Sequence, residues 1–178
     1  MKDEAIFVAL GANLGDTVAT LREAVRSMHA WPNTQVVATS RLWRTAPVNA
    51  DGPDFTNAAV QLRSDFEPEP LLQALLALEA ALGRQRNGSA CSTHGPPHDV
   101  MRTHSARLID LDLLMHGSRV LSTPHLTLPH PRMHLRAFVL APLADIAPDL
   151  VLHDGRSVRD TLNVLRGAMQ NPPQVIQT

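Results

Sequence analysis

Arg107-Leu108-Ile109-Asp110-Leu111-Asp112-Leu113-Leu114 sets apolar and acidic residues in alternation. A two-residue period predicts a β-strand with Ile109, Leu111 and Leu113 on one face and Leu108, Asp110, Asp112 and Leu114 on the other. The two carboxylates then share a face, roughly 7 Å apart along the strand at about 3.3 Å per residue. Acidic oxygens held at that spacing suit hard divalent cations, which magnesium-dependent phosphate chemistry requires. A plain strand with one wet face reads the same way, so the surrounding chain has to decide.

Upstream, residues 5–10 alternate as a first strand and stop at Gly11-Ala12-Asn13-Leu14-Gly15-Asp16. Asp16 or Thr17 caps a helix whose apolar positions Val18, Leu21, Val25 and Met28 keep helical spacing as far as Pro32. Residues 34–45 read as a second strand, rich in β-branched side chains, and residues 55–62 as a third. Between them residues 46–54 are too many for a tight hairpin turn, which points to a functional loop. Pro68 opens a second helix that ends near Gly83. Residues 85–106 have no periodicity and are expected to form a second mobile loop.

Beyond the acidic strand the pattern predicts a turn at Gly117, a short strand over 119–121, helices over 132–143 and 158–166, and a polar tail. Strand, helix, strand, strand, helix, strand is the βαββαβ order of a ferredoxin-like α+β sandwich, a mainly antiparallel sheet with helices on one face. In that topology the acidic strand is expected in the middle of the sheet, where packing would hold its side chains still.

At 178 residues, with an apolar fraction of 44% and a charged fraction of 19%, the chain reads as a single domain over residues 1–178 with a core of normal size. A formal net charge of −1 gives no broad electrostatic footprint for nucleic acid or an anionic membrane. The N-terminus carries no signal-peptide pattern, and no apolar run is long enough to span a membrane. Cys91 is the sole cysteine, so a reducing, cytoplasmic setting is expected; the chain is also expected to be a monomer. Lys2 is the only lysine. Phosphate recognition must therefore come from guanidinium groups, backbone amides or metal ions. The chain has neither a Walker-type phosphate loop nor a dinucleotide-binding glycine pattern.

Four constellations carry possible chemistry. Arg84, Arg86 and Arg107 flank the acidic pair in sequence and suit either a clamped phosphate chain or dipole compensation at a helix end. His130, Arg136 and Phe138 share a helix start; His130 and Arg136 suit phosphate and Phe138 a flat ring, or Phe138 is simply core. Phe55 and Asn57 lie on one strand face, an aromatic beside an amide, which is what a planar hydrogen-bonding heterocycle needs. Cys91, His94, His98 and His104 are zinc-type ligands, but Pro96-Pro97 interrupts them and the spacing is not that of a zinc finger. Seven of nine histidines fall between His94 and His134, so adventitious metal uptake is expected there.

Together these residues resemble the 6-hydroxymethyl-7,8-dihydropterin pyrophosphokinase family of folate biosynthesis. The resemblance runs in order over roughly residues 5–165. It rests on Gly11-Ala12-Asn13-Leu14, Arg44-Thr45-Ala46-Pro47, Phe55-x-Asn57-Ala58-Ala59-Val60, Glu79-x3-Gly83-Arg84, Arg107-x2-Asp110-x-Asp112, and Leu128-Pro129-His130 through Arg136-x-Phe138. It implies transfer of the pyrophosphoryl group of ATP to the hydroxymethyl oxygen of the dihydropterin, on a ferredoxin-like fold with two Mg²⁺ ions.

On the matching positions, Asp110 and Asp112 would hold both ions and, with Arg84 and Arg107, form the catalytic set. Arg84, Arg107, His130 and Arg136 would bind the triphosphate, with Glu79, Leu126 and Thr127 nearby. Phe55 and Phe138 would sandwich the pterin, while Asn57 and the backbone through Thr45, Ala46 and Val48 read its edge. The chain departs from the family at Ala12 (usually Ser), Ala46 (usually Pro) and Leu76 (often polar). His104-Ser105-Ala106 stands in place of an aromatic-Gly-Pro, with His104 as the substitute over the pterin. Two rivals remain at this stage: another metal-dependent nucleotidyl- or glycosyl-transferase using D-x-D, and a non-enzymatic module that binds zinc or a partner.

Overall fold

The computed structural model describes residues 4–47, 52–85 and 108–177. Its elements run β1 (Ile6–Ala12), α1 (Thr17–His29), β2 (Thr34–Thr39), β3 (Trp43–Thr45), β4 (Phe55–Ser64), α2 (Pro68–Gln85), β5 (Asp110–His116), β6 (Leu121–Ser122), β7 (Thr127–Leu128), a 3₁₀ turn (Met133–Leu135), α3 (Ala137–Ile146), α4 (Val158–Gly167) and β8 (Gln174–Val175). The main sheet runs β5-β1-β4-β3-β8, with β2 also paired to β4, and its pairings among the described residues are antiparallel. This is the expected ferredoxin-like α+β arrangement with additions. Residues 48–51 of loop 46–54 and residues 86–106 of loop 85–106 lie outside the described residues. No helix among the described residues is long and apolar enough to cross a membrane.

Each sheet face carries its own core. On one, Ile6, Val8 and Leu10 of β1 meet Leu21, Ala24 and Met28 of α1 and Leu71 and Leu75 of α2. The other packs Phe7, Ala9, Trp43, Ala59 and Leu114 against α3 and α4. Helices therefore cover both faces, not the single face expected from element order. The C-terminal third of the chain supplies the second layer, and it lies beyond the βαββαβ unit.

Local chemistry explains most boundaries. Asp16 caps α1 by accepting from the Ala19 amide at 2.9 Å. Gly117 makes the turn after β5 at φ +55°, a left-handed conformation that a Cβ would strain, with Glu4 atoms only 3.1 Å from where that Cβ would sit.

Three expectations need correction. Residues 34–45 are not one strand, because Ser40 interrupts the ladder: its hydroxyl, not a strand carbonyl, accepts the Ala59 amide at 2.9 Å. β2 and β3 result. Nor is 132–143 one helix. Arg136 is extended (φ −117°, ψ 97°) and separates the 3₁₀ turn from α3. Third, among the described residues β5 lies at an end of the sheet, paired only with β1, and is not central. Its outer side is held by other means. Glu79 of α2 accepts the Leu111 amide, and the His130 amide donates to the Leu114 carbonyl at 2.8 Å.

Candidate active site

Strand register builds the site. Asp110 of β5 stands opposite Gly11 of β1, Gly11 opposite Asn57 of β4, and Asn57 opposite Trp43 of β3. The row therefore reads carboxylate, no side chain, amide, indole. At about 4.8 Å between strands, Asp110 and Asn57 are roughly 10 Å apart across an open floor. Gly11 keeps that floor clear: a Cβ there would lie 3.2 Å from Asn57 Oδ1. One step along, Asp112 stands opposite Ala9, and Ala9 opposite Ala59, so small residues continue beside the second carboxylate.

The expected faces of β5 hold. Ile109, Leu111 and Leu113 are buried in the first core, while Asp110 and Asp112 lie on the α3 side and are partly exposed. Among the described residues no group of three or more His, Cys, Asp or Glu side chains is placed to hold a metal. Two aspartates nevertheless fit Mg²⁺, which keeps several waters and takes one or two carboxylates together with substrate phosphates.

The residues expected to meet phosphate lie around them. Arg136 Nη1 lies 3.7 Å from Asp112 Oδ2, and the Arg136 guanidinium is 5.6 Å from the Phe138 ring centroid. Burial lowers the pKa of Arg136; Asp112 opposes this, Arg132 adds to it and Asp110 opposes it again. Arginine's ordinary value is so high that the group stays charged near neutral pH.

His130 Nδ1 accepts the Arg132 amide at 3.2 Å, which leaves Nε2 of the neutral ring as the donor. Burial is the main force lowering the His130 pKa; Asp112 pulls it up, Arg136 pushes it down, a hydrogen bond to the residue's own backbone raises it and Arg132 lowers it. Thr127 is exposed on β7. Leu126 has a buried side chain, and its amide and carbonyl both pair with Thr123, so it holds a turn next to Thr127. Glu79 is tied to β5 through Leu111.

On the heterocycle side, Asn57 is buried and its Nδ2 donates to Thr45 Oγ1 at 2.8 Å. That bond fixes which way the amide faces. Phe55 opens β4 opposite Thr45, partly exposed, and Phe138 is in the first turn of α3, which packs over β4. Ala46 is exposed just after β3. Val48, His104 and Arg107, the Arg84 side chain, and the proposed zinc ligands Cys91, His94 and His98 lie outside the described residues. Sequence reading missed three contributors here: Gly11 as the floor, the Thr45 hydroxyl as the anchor of Asn57, and Trp43 beside them. Only the glycine left a signal, since a strand-end Gly can mark close approach.

Comparison with known proteins bears directly on this arrangement. The family model for 7,8-dihydro-6-hydroxymethylpterin-pyrophosphokinase (HPPK) matches residues 7–148. The chain belongs to the HPPK family. A 2-amino-4-hydroxy-6-hydroxymethyldihydropteridine pyrophosphokinase of Pseudomonas aeruginosa is 39% identical, over 89% of this chain and 90% of that protein. Its counterpart from Methylorubrum extorquens is 41% identical, over 88% and 90%. A crystal structure of Plasmodium falciparum HPPK-DHPS superposes with a TM-score of 0.72 and 14% identity, over 95% of this chain. This HPPK-family chain spans 46% of that longer protein, and the likeness concerns the fold.

Proposed function

We infer that this chain transfers the pyrophosphoryl group of ATP to the hydroxymethyl oxygen of 6-hydroxymethyl-7,8-dihydropterin, a step of folate biosynthesis. Family membership supports the reaction, with ATP as co-substrate. The row Asp110–Gly11–Asn57 is the observation that supports its location. It sets the Asp110 carboxylate and a heterocycle reader at the two ends of one open floor, with Asp112 in the adjoining row beside Ala9.

Asp110 and Asp112 would hold two Mg²⁺ ions, which when bound neutralise phosphate charge and lower the pKa of the attacking hydroxyl. Asn57, fixed by Thr45, offers its amide to the pterin edge, with the backbone at Ala46 and Val48 beside it; Phe55, Phe138 and His104 stack on the ring. Arg136 and His130 donate to the phosphate chain, joined through their motif positions by Arg84 and Arg107, with Thr127 and Glu79 alongside. The hydroxymethyl oxygen then attacks the β-phosphorus in line and AMP leaves. Positioning and charge carry the step, and no side chain has to act as a general base.

The chain is further proposed to act as a single-domain cytoplasmic monomer on small molecules, without nucleic acid or membrane partners. The near-zero net charge and single cysteine of the sequence support this.

Incubation with ATP, Mg²⁺ and hydroxymethyldihydropterin should yield AMP and pterin diphosphate in equal amounts. ADP or free pyrophosphate as the main product overturns the reading.

A further inference from the structure

Residues 149–177 lie beyond the 7–148 span of the family match, yet they help complete both the second layer and the sheet. Ser157 caps α4 by accepting the Asp160 amide, and Val158 and Leu162 of α4 are buried against Phe7, Trp43 and Ala59. At the end of α4, the Arg166 guanidinium lies 5.1 Å from the Trp43 ring centroid. Its buried Nε has no hydrogen-bond partner among the described residues, so the ring is the contact that accounts for its position.

The chain then returns along β3. Val175 pairs with Trp43, Gln174 with Arg44, and the Ile176 amide donates to the Leu42 carbonyl at 2.8 Å.

Trp43 is where these contacts converge. It is buried, its Nε1 donates to Asp145 Oδ2 at 2.9 Å, and Asp145 also receives both Nε and Nη2 of Arg41. Arg41 brings a second guanidinium to 5.4 Å from the same ring. In register, Trp43 stands directly opposite Asn57, where cross-strand side chains are about 5 Å apart at Cβ. Two residues on, β3 carries the Thr45 hydroxyl that fixes the Asn57 amide. A three-residue strand thus holds the reader in place, and the C-terminal segment holds the outer edge of that strand.

We propose that the C-terminal segment is a positioning element for pterin recognition, acting through Trp43 and β3 on Asn57. The inference rests on the reading of Asn57 as the residue that meets the pterin edge. Among the described residues, the pairings of β8 and the ring contact of Arg166 go to Leu42, Trp43 and Arg44 and not to Arg136 or His130, so their effect should fall on one substrate only.

The test compares the full chain with a version ending at residue 171, with Ile176→Pro, which removes the amide donated to Leu42, and with Trp43→Phe, which keeps a ring but loses the indole N–H. Truncation and Ile176→Pro should raise KM for the dihydropterin about tenfold, with KM for MgATP and kcat within about twofold. Trp43→Phe should fall between these and wild type. An unchanged pterin KM in a folded variant overturns the proposal, as does an equal rise in both KM values. Ile176→Pro decides the matter if the truncation does not fold.

A second readout needs no turnover: the side-chain amide signal of Asn57 in an ¹⁵N spectrum should move on truncation while that of Asn13 stays. A still Asn57 signal overturns positioning. Failure of wild type to make AMP from the pterin overturns the proposed reaction instead.

Discussion

Glu79 accepts a hydrogen bond from the backbone amide of Leu111, the residue between Asp110 and Asp112. A side chain from α2 thereby bonds the outer side of β5, where no strand among the described residues pairs with it. Removing it strands a partly buried amide beside the two carboxylates. Glu79→Ala should therefore cost about 1–3 kcal/mol of stability by urea unfolding, and Glu79→Gln, which keeps an acceptor, clearly less. Equal losses in the two variants would mean that the charge matters and not the hydrogen bond.

Asp110 and Asp112 face the α3 side and are partly exposed, so neither packs the core. Asp110→Asn and Asp112→Asn should keep the melting temperature close to wild type. Activity should fall by more than about a hundredfold, since each loses a charge proposed to hold metal. Wild-type turnover in either variant would remove that residue from the metal site.

Thr45 fixes the orientation of Asn57. Thr45→Val keeps the shape and deletes the acceptor, and should raise KM for the pterin about tenfold with little change for ATP. Thr45→Ser restores the acceptor and should recover most of the affinity. Gly11→Ala approaches the same amide from the opposite side, with its new Cβ 3.2 Å from Asn57 Oδ1, and should also weaken pterin more than ATP.

Asp145 provides a pH test. Burial pushes its carboxyl up, but hydrogen bonds from the Arg41 guanidinium, the Trp43 indole and the Arg41 amide, together with the Arg41 charge, outweigh this and leave it below its ordinary 3.8. A carboxyl depressed in the folded state contributes stability that is complete above the unfolded value and is lost as pH falls through the folded one. Wild type should therefore show a steeper stability loss below about pH 4 than Asp145→Asn. Parallel acid-unfolding curves would show that the Asp145 cluster contributes nothing through its charge.

The sequence by itself determined what each segment has to bury. Alternation around Asp110 and Asp112 assigned those carboxylates to the face opposite Leu111, because a two-residue period leaves no other choice. Asp16 specified its own cap, Gly117 its own turn, and the ordered motifs the family. Element order was enough for a ferredoxin-like sheet.

Tertiary structure decided who stands beside whom. Periodicity says which face a residue occupies and nothing about which strand lies next to it. The placement of β5 at an edge and the row from Asp110 through Gly11 to Asn57 are therefore properties of register alone. The break at Ser40 was hidden because it depends on a hydroxyl meeting the Ala59 amide across the sheet. β8 was hidden for a related reason: Gln174 and Val175 are recruited by the open backbone edge of β3, and backbone hydrogen bonds leave no mark on side-chain pattern.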